Sequence, residues 1–188
     1  MATTVDPKIV ALIVIALIAV LLIIWTVVRQ RRTVVLKRRY GPEYDQIVRE
    51  IGPRRAEATL LEREKRVEKF RLRPLAAEER ERFVTDWRSV QSRFVDDPQA
   101  AVSQADQLVD RVMRARGYPM TDFEQRAADI SVTHPQVVSN YRAAHEIAVR
   151  HQQGQATTED MRQAMIYYRS LFDDLLEPAP VGAKREVA

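Results

Sequence analysis

Asp106 and Asp110 stand one helical turn apart in "AVSQADQLVDRVM", on a common face if that segment is a helix. Two carboxylates so placed can share a divalent ion or divide acid and base roles between them. The plainer reading is a pair of solvated aspartates balanced by Arg111 and Arg114. Of the three histidines, His134 falls in a loop, while His145 and His151 are six apart and do not share a helix face. A two-histidine metal site on one helix needs i, i+4 spacing. His145, beside Tyr141, reads as an ordinary partly buried side chain. No glycine-rich phosphate loop, G-x-S-x-G or H-E-x-x-H occurs. Cysteine is absent, which removes disulfides, thiol nucleophiles and cysteine-based zinc sites together. The expectation is therefore no catalytic residue, no metal and no cofactor. The alternative is a small-molecule enzyme working through Asp106 and Asp110 or the His145 region.

The elements that must position these residues are helical. Glycines and prolines fall where an amphipathic pattern starts or stops, and almost no strand-like alternation lies between them. Phe83, Trp87, Val90 and Phe94 make one stripe at i, i+4, i+7 and i+11. Asp97 and Pro98 open a second helix, whose stripe is Val102, Ala105, Leu108, Val109 and Val112 and whose stop is Gly117. Thr121 and Glu124 have capping-box spacing for a short helix burying Phe123, Ala127 and Ile130. Thr133 and Pro135 are expected to start a fourth, with Val137, Tyr141, Ala144 and Ala148 inward. Thr157 or Thr158 opens a fifth, with Met161, Met165, Tyr168, Phe172 and Leu175 inward. Residues 74–177 thus read as a five-helix soluble bundle, followed by a disordered tail at 178–188.

Ahead of the bundle, residues 40–73 read as a charged, solvated helical stalk with Glu62 placed to meet Arg66. A heptad through Tyr44, Ile47, Ile51, Ala58 and Leu61 could pair two stalks into a homodimer, but it meets Lys65 and Glu68 at the next core positions. Ile9 to Val28 is a run of twenty residues without a charge, roughly 30 Å as a helix and the thickness of a bilayer core. It reads as an uncleaved transmembrane helix behind a short extracytoplasmic segment, residues 1–8. A cleaved signal peptide would carry its positive charge before the apolar run, and here the order is reversed.

Arg29, Arg31, Arg32, Lys37, Arg38 and Arg39 follow the run, against Lys8 alone before it. Cationic flanks resist translocation, so the soluble domain is expected in the cytoplasm with the amino terminus outside. Net charge is +4, but residues 74–177 carry twelve positive and seventeen negative charges. The basic surplus therefore lies in the 29–39 juxtamembrane segment, where it sets topology or contacts anionic headgroups, rather than on a face suited to nucleic acid.

The stretches "RPLAAEERERF", "WRSVQSRFVDDPQAAVSQAD", "RARGYPMTDFEQRAADISVTHP", "NYRAAHEI" and "TEDMRQAMIYYRSLF" resemble an uncharacterised family of bacterial proteins with one amino-terminal membrane segment and a helical domain. The resemblance covers roughly residues 40–176. The family carries an Asp where this chain has Thr133, and either residue could cap a helix. It implies architecture and a bacterial source, so that the expected membrane is a bacterial cytoplasmic one, and brings no activity with it. The functional expectation is a single-pass membrane-anchored scaffold or adaptor for a protein partner, with a peripheral lipid-organising role through Arg29 to Arg39 as a further alternative. Tyr118, Met120 and Phe123, beside Asp122 and Glu124, are the expected partner contact.

Overall fold

The computed structural model describes residues 7–177; within the first helix the side chains of residues 7–15, 18, 25, 27–30 and 32 lie outside that description, as does the expected tail at 178–188. The described residues form helices joined by short loops and turns, with no strand among them. The chain divides into two units, Met1–Arg39 and Tyr40–Ala188.

In the first unit, no glycine or proline interrupts the chain between Pro7 and Gly41, and α1 (Pro7–Tyr40) is one continuous helix of 34 residues. At 1.5 Å per residue it is about 50 Å long. Leu17 and Val20 to Ile24 each expose between 50% and 65% of their surface. Among the described residues no helix is long and apolar enough to cross a membrane; many side chains of the expected span at 9–28 lie outside those residues. The basic segment continues the same helix. Arg31, Lys37, Arg38 and Arg39 are exposed, and the Arg29 and Arg32 side chains lie outside the description.

The second unit opens with two Gly-Pro steps. Gly41 and Gly52 have φ of 50° and 78°, a region glycine enters without strain, and each is followed by the proline that starts a helix. These helices, α2 (Pro42–Ile51) and α3 (Pro53–Val67), pack on each other, and α3 also packs on α6 (Phe123–Thr133) and α2 on α7 (Val138–Gln152). The segment expected to be a solvated stalk is therefore a hairpin docked on the bundle. Tyr40, Tyr44, Ile47, Ala56, Leu60 and Val67 are buried. The expected heptad is split: Tyr44 and Ile47 are used inside the chain, while Ile51, Ala58 and Leu61 face out. Arg66 reaches Asp129 of α6 rather than the expected Glu62, with Nε donating to Oδ1 at 2.7 Å.

Residues 74–177 form the five expected helices, namely α4 (Ala77–Arg93), α5 (Pro98–Arg116), α6, α7 and α8 (Thr158–Leu176). The last helix is central, packing on both α5 and α7, and α4 covers α5. All five stripe residues of α5 and all five of α8 are buried. Trp87 is 3% exposed and stacks on Phe172 with ring centroids 4.8 Å apart. Two helix starts differ from expectation. Asp122, not Thr121, caps α6, accepting from the Gln125 N–H at 2.9 Å. Thr133 ends α6 instead of capping α7, because its hydroxyl is engaged by the Tyr118 hydroxyl at 2.7 Å, and α7 begins only at Val138.

The α5 terminus is closed twice over. Gly117, at φ 92°, lets the chain turn left-handed, and a Cβ there would stand 2.6 Å from the Arg71 carbonyl oxygen. Arg116, 1% exposed, donates from one guanidinium nitrogen to the carbonyls of Leu175 and Glu177 at 2.7 and 2.9 Å. A cation at the carbonyl end of a helix is favoured by the helix dipole as well as by the hydrogen bonds.

Candidate functional site

Asp106 and Asp110 do lie on one side of α5, but they take separate partners. Asp106 accepts from the Tyr168 hydroxyl of α8 at 2.9 Å. Asp110 accepts from Arg126 of α6 at 3.2 Å, and both of those side chains are largely enclosed. The expected counter-charges act differently: Arg111 bonds Asp86 at 3.0 Å, and Arg114 acts on Asp110 only at longer range. Burial raises the Asp110 carboxyl above its usual range, against the pull of Arg126.

From α7, Tyr141 and His145 enter the same neighbourhood one turn apart. Phe123 holds both rings, with centroids 4.9 Å from Tyr141 and 3.6 Å from His145, the latter pair stacked within 9° of parallel. Burial pushes the Tyr141 hydroxyl far above its normal range and lowers the His145 imidazole, where the Asp106 carboxylate opposes it. The structure thus joins Asp106, Asp110 and His145, read separately in the sequence, and adds Arg126, Tyr141 and Tyr168. Sequence reasoning missed Arg126 and Tyr141 as partners because each stands on a different helix from the carboxylates.

Of the expected partner contacts, Tyr118 is 3% exposed and bonded to Thr133, which places its side chain in the core. Met120 and Phe123 are partly buried against the same core. The loop carrying them packs on the bundle, and Met120 and Phe123 keep part of their surface outside the core.

Glu43 is the residue for which the sequence held least signal. Its carboxylate is fully enclosed between Arg63 of α3, at 2.9 Å, and Arg142 of α7, which donates from both terminal nitrogens. Arg63 also reaches the Ser131 hydroxyl at 3.1 Å, and Asp129 beside it accepts from Arg66 and Gln125. A buried carboxylate is tolerated when its charge is paired and its lone pairs are filled, and here both conditions hold. These ion pairs, with the apolar contacts of α3 on α6, fasten the hairpin to the bundle. At the far end of α6, His134 contacts the Asp174 carboxylate of α8 through Nδ1.

No protein-family model, curated protein or solved structure matches the chain.

Proposed function

We propose that the protein is a single-pass, membrane-anchored helical scaffold or adaptor of a bacterial cytoplasmic membrane, with its bundle facing the cytoplasm and recruiting a protein partner. The observation that carries this reading is the surface of α1. Leu17 and Val20 to Ile24 present contiguous apolar side chains, and the same helix continues without a break into exposed cations. Apolar surface of that extent needs a lipid or protein partner, and the cations beyond it suit anionic headgroups at roughly 1 kcal/mol each. The acidic balance of residues 74–177 keeps the bundle itself off such a surface.

The chain has no cysteine, so single cysteines test the topology directly. Thr4→Cys should react with a membrane-impermeant thiol reagent on intact cells, and Ala183→Cys should not. The reverse pattern would place the bundle outside and end the cytoplasmic reading. Crosslinking in native membranes should then recover one defined protein attached to the bundle.

A second reading, catalysis on a small molecule through Asp106, Asp110 and the His145 region, is favoured by one observation: buried polar atoms without a protein hydrogen bond of good geometry gather there. A solute that raises the melting temperature of the wild-type chain but not of Asp110→Asn would support it.

A further inference from the structure

Four side-chain atoms between α5, α6 and α7 are enclosed yet make no protein hydrogen bond of good geometry: Asp110 Oδ1, Arg126 Nε, Tyr141 Oη and His145 Nδ1. Tyr141 is fully buried at 0% exposure. Interiors of folded proteins rarely leave such atoms unsatisfied, since each has surrendered hydration for nothing in return. Their grouping follows from the helical register. Asp106 and Asp110 are i, i+4 on α5, Phe123 and Arg126 are i, i+3 on α6, and Tyr141 and His145 are i, i+4 on α7, so each helix offers a neighbouring pair to one layer. Arg126 bonds Asp110 and lies within reach of a weak hydrogen bond to Tyr141, Phe123 packs on both α7 rings, and Asp106, Asp110 and Arg126 all act electrostatically on Tyr141.

We propose that Asp110, Arg126, Tyr141 and His145 hold a small cluster of ordered water that joins α5, α6 and α7. The hydrogen-bonding sense of the four atoms selects the ligand. Asp110 Oδ1 only accepts and Arg126 Nε only donates, while the Tyr141 hydroxyl and the His145 ring nitrogen do either. An anion would satisfy Arg126 and be repelled by Asp110 and Asp106. A bare cation would be drawn to the carboxylates and repelled by Arg126, and among the described residues no three acidic, histidine or cysteine side chains are grouped to hold a metal. Water accepts from Arg126 and donates to Asp110 at once, and a buried water takes about three polar partners of the kind this layer supplies. The inference stands apart from the membrane reading, since it concerns only the interior of the bundle.

The test is a high-resolution crystal structure of the full chain in detergent, as wild type and as Tyr141→Phe. Wild type should show at least one single-oxygen peak within hydrogen-bond distance of Tyr141 Oη and of Asp110 Oδ1 or Arg126 Nε, and the variant should lose the peak that Tyr141 holds. In solution, magnetic relaxation dispersion should count at least one fewer long-lived water in the variant. A direct bond from Tyr141 to Asp110 or Arg126 with no peak between them overturns the proposal. So does density larger than water, which would mark a solute site, and so does an unchanged count of long-lived waters in a folded variant.

Discussion

Arg142 on α7 donates from both terminal nitrogens to the carboxylate of Glu43 on α2, ninety-nine residues earlier in the chain, and no part of the Glu43 side chain is exposed. The pair joins the hairpin to the bundle at a point where the Glu43 carboxylate cannot be solvated, while Arg142 keeps 21% of its side chain exposed. Glu43→Gln leaves Arg63 and Arg142 facing a neutral amide, and breaking a buried pair from one side costs about 3 kcal/mol. Hydrogen exchange should quicken across residues 42–67 more than across α5. Uniform quickening would mean that the hairpin and bundle open only together.

Trp87→Ala removes the ring that stacks on Phe172 and should cost about 3 to 5 kcal/mol in a denaturant melt. A change within about 0.5 kcal/mol, the range of ordinary surface substitutions, would contradict the burial of α4 on the bundle.

Tyr118→Ser empties a buried aromatic site and strands Thr133, so a loss of about 3 kcal/mol is expected. Met120→Ser, at a partly buried position, should cost less. The ordering of the two midpoints in one series of melts checks the assignment.

Gly117→Ala meets both a left-handed backbone and an Arg71 carbonyl 2.6 Å from the new Cβ. Destabilisation should exceed about 1 kcal/mol, the scale of the backbone effect alone. Gly154→Ala, with the same sign of φ and nothing near its Cβ, is the control and should be milder.

His145 supplies a pH dependence of known sign. Burial lowers its folded-state pKa below 6.5, with Asp106 and Glu124 opposing and Arg126 assisting. The unfolded chain therefore binds the proton more readily, and stability is fully present above 6.5 and is lost as pH falls towards and through the folded value. Between about pH 7.5 and pH 5, wild type should lose more stability than His145→Gln. Equal losses would show that other groups dominate that window.

The bundle was readable from sequence because each of its helices carries an apolar stripe at helical spacing. The α5 and α8 stripes were recovered residue for residue, and caps such as Asp97 stood where a side chain could reach a free N–H. The hairpin was not readable, and the reason is physical. Its contact with the bundle is partly ionic, and Glu43, Arg63 and Arg66 find their bundle partners 63 to 99 residues away, so along the sequence they look like solvated charge. Thr133 misled for a similar reason, since a side chain suited to capping was claimed by Tyr118. Of the internal polar layer, the two aspartates and His145 could be singled out by spacing. That they share a layer with Arg126 and Tyr141 depends on how α5, α6 and α7 face one another, which no local pattern encodes.

The seating of Arg116 against the Leu175 and Glu177 carbonyls also governs how the chain can be digested. An exopeptidase needs several residues released from structure before it can cut, and the last turn of a helix normally supplies them by fraying. Here that turn is held by a buried cation from α5, so peeling it open exposes a charge as well as the apolar underside of α8. Trimming inward from the carboxyl end should stall near Glu177, and Arg116→Met, which keeps the bulk without the donors, should let it run on into α8.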